Sequence, residues 1–166
     1  MNDLSKKMCQ GLKDSGLDFF LSVPCKNLAD IISCLEEDKE VLYFPITREE
    51  EGIGIAAGAA LGGRMVVLIM QNSGLGNSIN ALASLMQYYR MPMILLVSHR
   101  GGPGETIGAQ VPMGRATKDL LDVLDIPYFE YNRMKDLSQL KDHVFYARVA
   151  ECPVALLVSP QFWSST

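Results

Sequence analysis

The sequence predicts a three-layer α/β domain, an open and mostly parallel six-stranded sheet with helices on both faces. Runs such as Met65-Val66-Val67-Leu68-Ile69-Met70 and Met93-Ile94-Leu95-Leu96-Val97 are apolar throughout rather than alternating, as strands covered on both faces must be. Longer amphipathic stretches separate these runs, the spacing of right-handed βαβ crossovers. The 166 residues, nearly half apolar and a fifth charged, suit one globular domain with a substantial core.

The elements read in order as follows. Helix 3–15 closes at Gly16 and leads into a strand at 18–23, glycine being the usual residue just past a helix end. Helix 27–36, strand 40–45 and helix 48–62 come next, and Gly62-Gly63 ends the third helix. Strand 65–70, helix 76–90 and strand 93–98 follow, then a loop at 99–113, helix 114–124, strand 127–130, helix 134–149 and strand 153–158. Pro92 and Pro153 fall at strand starts, where a missing backbone donor does little harm. No repeat, low-complexity segment or linker interrupts the pattern, so residues 1–166 read as a single domain.

Composition narrows the function. A net charge of −4 without any basic run argues against nucleic acid, which needs a basic field. The apolar stretches are broken by Gly, Arg or Pro well short of a membrane span. Cys9, Cys25, Cys34 and Cys152 show no C-x-x-C and no zinc spacing, and no secretory leader opens the chain. Reduced thiols, a cytoplasmic location and no resident metal are the expectations. An anionic substrate must then be met by a few placed cations.

Ligands of open parallel sheets gather at the carboxyl ends of the strands. Four segments stand there: Val23-Pro24-Cys25-Lys26-Asn27, Thr47-Arg48-Glu49-Glu50-Glu51, Gln71-Asn72-Ser73-Gly74-Leu75-Gly76-Asn77 and Ser98-His99-Arg100-Gly101-Gly102. Thr47 is placed to cap a helix whose first turn holds three glutamates, with Glu50 at the position that closes a capping box. Acidic residues also suit the positive end of the helix dipole, so a solvated helix start is the plain reading. The helix then continues Gly52-Ile53-Gly54-Ile55-Ala56-Ala57-Gly58-Ala59-Ala60, a run rich in glycine, which is poor in helix propensity. Small side chains permit close approach, so the pattern delivers a carboxyl group to a tight, buried contact.

The string Arg48-Glu49-Glu50-Glu51-Gly52-Ile53-Gly54-Ile55-Ala56-Ala57-Gly58 resembles the glutamate-bearing helix of the pyrimidine-binding domain in thiamine-diphosphate-dependent 2-oxoacid decarboxylases. The resemblance implies a flavodoxin-like fold and one glutamate that hydrogen-bonds N1′ of the cofactor aminopyrimidine, promoting the imino tautomer whose N4′ removes the C2 proton. A carboxyl group in such a role works best buried. Aligned without gaps on the Ala-Ala-Gly segment, as in phosphonopyruvate decarboxylases, the match falls on Glu49; aligned on the Arg-x-Glu-x-Gly spelling of acetolactate synthases, it falls on Glu50. The ungapped match is preferred, since it also keeps the helix in phase.

The other segments extend the resemblance. As a bare glycine pattern, Ser73-Gly74-Leu75-Gly76-Asn77 is weak, lacking the third glycine of a dinucleotide site and a Walker lysine. It is similar to the Ser-Gly-Pro-Gly helix start that lines the family's cofactor pocket, with Leu75 in place of proline. This implies cofactor contacts at Ser73, Gly74, Gly76 and Asn77. Val23-Pro24-Cys25-Lys26-Asn27 resembles the family's Val-Pro-Gly loop, which implies a cofactor contact at Pro24 and substrate-facing Lys26 and Asn27. A lysine here is ordinarily a solvent-facing residue, yet beside helix donors a compact ammonium receives an oxyanion well.

In the glycine-rich loop after strand 93–98, Arg100 offers planar recognition of a sulfonate, phosphonate or carboxylate. His99 either exchanges protons or bonds a backbone carbonyl. Gln110, in Gln110-Val111-Pro112-Met113-Gly114, resembles the position where relatives place a glutamine or histidines over the thiazolium. The five segments in order resemble the alpha chains of the family's sulfopyruvate-cleaving branch, which implies a substrate of 3-sulfopyruvate and a place in coenzyme M biosynthesis.

No Gly-Asp-Gly occurs in the sequence, the family's motif for magnesium and diphosphate. The resemblance therefore implies a separate beta subunit that holds Mg2+ and the diphosphate, a thiamine diphosphate shared between chains, and a hetero-oligomer with alpha-alpha or alpha-beta contacts. Phosphonopyruvate or another 2-oxoacid is the alternative substrate. A flavodoxin-like nucleotide-binding or regulatory module is the alternative from another class, though it leaves the acid-led Gly/Ala helix unexplained.

Overall fold

A computed structural model describes residues 3–164. Six strands, β1 (Phe19–Ser22), β2 (Leu42–Pro45), β3 (Val66–Gln71), β4 (Met93–Ser98), β5 (Tyr128–Tyr131) and β6 (Pro153–Val158), form one sheet in the order β2-β1-β3-β4-β6-β5. Every pairing is parallel. Six helices connect or flank them: α1 (Asp3–Asp14), α2 (Ala29–Glu37), α3 (Glu49–Leu61), α4 (Asn72–Ala81), α5 (Val111–Val123) and α6 (Leu140–Ala150).

Alternation along the central strands divides the core in two. Val67, Ile69, Ile94 and Leu96 point to the layer formed by α1, α2 and α6, meeting Met8, Leu12, Ile31, Leu35 and Val144. Val66, Leu68, Met70, Leu95 and Val97 point to α3, α4 and α5, meeting Ile53, Ala56, Leu75, Leu82 and Leu121. All of these side chains are buried, the valines, leucines, isoleucines and methionines each contributing on the order of 2 kcal/mol of transfer free energy. The three-layer, parallel architecture agrees with the sequence.

The glycine-rich helix explains itself here. A Cβ on Gly52 would lie 2.6 Å from Ile46 Cδ1 and 2.8 Å from Leu68 Cδ1, so α3 lies closer to the sheet than an alanine would permit. Gly16 and Gly63 adopt φ of +78° at the ends of α1 and α3, where glycine carries little steric penalty.

Four expectations need correction. The helix placed at 76–90 begins at Asn72, directly after β3, and widens into a π-helical segment at Leu82–Gln87. Contacts made by Asn72 and Gly74 outweigh the poor propensity of the Ser-Gly-Leu-Gly stretch. The helix placed at 114–124 begins at Val111, with Pro112 in its first turn, where a missing N–H is harmless. The helices placed at 27–36 and 134–149 open with 3-10 turns, Lys26–Leu28 and Met134–Gln139. Lastly, Arg48 rather than Thr47 is the N-cap of α3, so the acid that reaches back is Glu51, not Glu50.

Candidate active site

Ligand crevices open where strand order reverses, here between β1 and β3 at the carboxyl edge. The glutamates of α3 arrive beside this point and meet three fates. Glu51 accepts from Thr47 N (3.2 Å) and Thr47 Oγ1 (2.8 Å). The Thr47 hydroxyl and N–H hold its carboxyl below the usual carboxylate range. Glu50 is exposed to solvent. Glu49 turns inward and is 9% exposed. Among the described residues its carboxylate has one hydrogen bond, a long one of 3.4 Å from Asn77 Nδ2.

Gly74 makes the seat for Glu49. A Cβ at residue 74 would lie 2.3 Å from both Glu49 Cγ and Oε1, so only glycine lets α4 cross the carboxyl group at this range. Gly74 is buried whereas Ser73, Gly76 and Asn77 are exposed at the start of α4. Gln71, the last residue of β3, donates from Nε2 to Ser73 Oγ (2.9 Å) and to Gln110 Oε1 (2.9 Å). Gln110 lies at the entry to α5, its own N–H bonded to Ile107 O at 2.9 Å.

The first loop stands apart from this group. Pro24 and Lys26 are exposed, and the Lys26 ammonium has no carboxylate partner among the described residues. Asn27 Nδ2 donates to Ser98 Oγ at 3.3 Å and ties the loop to the end of β4.

The loop after β4 is bound to itself. Arg100 Nε donates to Glu105 Oε2 (3.0 Å), and Nη2 to Oε1 (2.5 Å). The backbone N–H groups of Ile107 and Gly101 also donate to Glu105. The Arg100 guanidinium, aided by these N–H groups, holds the Glu105 carboxyl down at about 2. Asn72, wholly buried, donates to Arg100 O (3.1 Å) and Thr117 Oγ1 (3.0 Å) and accepts from Arg100 N (3.3 Å). Backbone meets backbone beneath the loop: a Cβ on Gly101 would lie 2.2 Å from Gln110 O, and one on Gly114 2.4 Å from Arg100 O. His99 Nε2 donates to Gly114 O at 3.1 Å, one of the two roles the sequence allowed it.

The structure thus gathers Glu49, Gly74 and Asn77 in one cluster, and Gln71, Ser73 and Gln110 in another. It leaves Lys26 alone and gives Arg100 an internal partner. Gln71, Asn72 and Glu105 were missed as organising residues. Two polar residues closing the apolar run 65–70 were the available signal, since the end of a buried strand is where a ligand-side group emerges. A cleft of about 420 Å3 is lined by His99, Lys118, Glu130, Asn132 and Ser159 beyond β4, and Glu49 is not part of its lining. His143 is structural: its Nδ1 shares a hydrogen bond with the Tyr131 hydroxyl (2.8 Å) and Phe129 stacks on its ring.

A parallel α/β sheet that brings a buried glutamate against a glycine in the first turn of the next helix agrees with the pyrimidine-binding class of domain that the sequence resembles. A family profile described as thiamine pyrophosphate enzyme, N-terminal TPP binding domain, matches residues 2–120, and the chain belongs to that family. Within it the chain is 46% identical over 166 residues to sulfopyruvate decarboxylase subunit alpha of Methanococcus maripaludis, covering 96% of each. It is 52% identical over 126 residues to the subunit of that name from Methanothermobacter thermautotrophicus, covering 76% of each. The chain is a member of the alpha-subunit branch of these decarboxylases. A longer sulfopyruvate decarboxylase from Methanosarcina acetivorans is 33% identical over 97% of this chain but 41% of its own length. Among solved structures, benzoylformate decarboxylase from Polynucleobacter necessarius superposes with a TM-score of 0.70 at 16% identity, over 96% of this chain and 30% of that one, which shows the shared fold.

Proposed function

We propose that this chain is the alpha, pyrimidine-binding subunit of a thiamine-diphosphate-dependent decarboxylase that converts 3-sulfopyruvate to sulfoacetaldehyde and carbon dioxide, a step in coenzyme M biosynthesis. The observation that carries the reading is Glu49: buried, seated on Gly74, and holding one long hydrogen bond. A carboxyl group in that state fits a ligand ring nitrogen that would complete its bonding. When bound, the cofactor supplies the electron sink for the pair left by departing carbon dioxide.

The remaining steps belong to this chain's residues. Glu49 offers Oε1 to the aminopyrimidine ring nitrogen and shares its proton there, while Asn77 steadies the carboxyl group through Oε2. Gly74 seats the Glu49 carboxyl group, and Pro24, Ser73 and Gly76 flank the ring. Lys26, an exposed cation without an acidic partner among the described residues, receives the sulfonate, and Asn27 fixes its loop. Arg100 shares its charge with Glu105, so in this reading it shapes the loop beside the substrate. Gln110 orients the substrate carboxylate, and His99, its Nε2 committed to Gly114, is left with Nδ1 to exchange a proton with solvent or product. Mg2+ and the diphosphate are assigned to a beta subunit. The longer relative from Methanosarcina acetivorans, more than half of which lies outside the match, supports a second domain carried elsewhere. The complex operates in the cytoplasm.

The test is carbon dioxide release from 3-sulfopyruvate with thiamine diphosphate and Mg2+, for this chain alone and with its beta subunit. Activity in the pair only is the expected result; full activity in the lone chain would overturn the half-site. A phosphonopyruvate decarboxylase from Streptomyces viridochromogenes is 41% identical over 71% of this chain, so phosphonopyruvate belongs in the same assay. A higher kcat/KM on it would move the substrate from sulfonate to phosphonate.

A further inference from the structure

We infer that Gln71 is a positioning residue that sets the hydrogen-bonding sense of Gln110, so that Gln110 offers its amide donors, rather than its oxygen, to the anionic substrate. The inference rests on the reading of Gln110 as substrate-facing.

The geometry is specific. Gln71 is the last residue of β3, paired in register with Ser98, so its backbone is fixed by the sheet. Its single amide nitrogen spans two acceptors, Ser73 Oγ and Gln110 Oε1, both at 2.9 Å. An amide nitrogen has two protons, and each acceptor takes one. Gln110 is fixed from the other side: its N–H bonds Ile107 O, and its carbonyl oxygen lies over Gly101 with no room for a Cβ between. With Oε1 engaged, the free end of the Gln110 amide is Nε2, which has no partner among the described residues. That end carries two donors, which suit a carboxylate or a keto oxygen. The contact spans 39 positions of sequence, so no local pattern encodes it.

A side chain that only filled space would tolerate an isosteric replacement. One that sets polarity would not. Glutamate at 71 keeps the shape but has only acceptors. Gln110 must then turn its NH2 toward residue 71 and present its oxygen to an anion. In the reconstituted alpha/beta complex, Gln71→Glu and Gln110→Ala are each expected to lower kcat/KM for 3-sulfopyruvate about 100-fold, and Gln71→Ala only about tenfold, the range of a hydrogen bond to a charged group. The loss should fall mainly on KM if the donors act on the ground-state carboxylate.

A readout independent of activity uses this chain alone. In 15N-resolved spectra the Gln71 side-chain NH2 should exchange slowly with water, and Gln110→Leu should speed that exchange. Unchanged exchange in Gln110→Leu would overturn the contact. Wild-type kcat/KM in Gln71→Glu, with Gln110→Ala impaired, would overturn the positioning role while leaving the site reading intact. Wild-type kcat/KM in Gln110→Ala would overturn the site reading itself, and the role of Gln71 with it.

Discussion

Two corners of the carboxyl edge treat their polar groups in opposite ways. At the α3–α4 corner Glu49 is nine-tenths buried, yet among the described residues its carboxylate takes a single long bond, from Asn77. At the β4 corner Arg100, Glu105, Asn72 and Thr117 bond to one another and to backbone. A carboxylate oxygen left without a protein donor can take one from a ligand, whereas a satisfied network rigidifies what it joins. The first corner is arranged for something that arrives; the second holds the floor still.

The largest effect should separate Glu49 from its neighbours. Glu49→Gln, assayed with the beta subunit and cofactor, is expected to lower kcat by about 10^2- to 10^4-fold, the range of a lost general acid–base group. Glu50→Gln should stay near wild type, since Glu50 faces solvent. Equal losses in both would break the comparison, because burial would then not distinguish the working carboxyl group.

Next comes the satisfied corner. Asn72→Ala strands the Arg100 N–H and C=O together, and unfolding in urea should show a loss of about 3 kcal/mol. A loss under about 1 kcal/mol would mean that the loop rests on other contacts. Gly74→Ala should destabilise by about 1–3 kcal/mol through overpacking against Glu49. Its melting temperature is expected to fall with activity, whereas Glu49→Gln loses activity at nearly constant melting temperature.

The smallest effect is one of pH. In the folded chain the Glu105 carboxyl titrates at about 2, below its ordinary value, so the bonds from Arg100, Ile107 and Gly101 are strongest when it is ionised. Their contribution is full above the ordinary carboxylate range and is lost as pH falls through about 2. Hydrogen exchange at the Gly101 and Ile107 amides should follow that profile, and Glu105→Gln should flatten it.

How much of this was readable depended on range. The apolar runs at 65–70 and 93–98 fixed the central strands within a residue, because burial on both faces leaves no choice of composition. The Glu49 corner was legible because Glu49, Gly52 and Ala56 share one helix and one resemblance. The start of α4 was not, since Ser73-Gly74-Leu75-Gly76 looks like a loop until Glu49 is seen filling the space above Gly74. The ends of α5 and α6 were placed within one residue, although their last turns release into left-handed Asp125 and Glu151 rather than glycine. Arg100 read as a free cation because Glu105, though only five residues on, reaches it through a folded loop. Gln71 and Gln110 meet across 39 residues, beyond any periodicity.

The crossing of Gly101 and Gly114 sets the grain along which the site can be redesigned. With no side chain between the strands of chain that meet there, the segment 99–110 and the first turn of α5 must travel as one piece. A loop grafted from a relative has to bring both glycines with it, whereas the exposed tip residues Thr106, Ile107 and Ala109 can be varied one at a time. New selectivity is therefore reachable by single steps at the tip, while changes at the base demand paired steps through poorly folded intermediates.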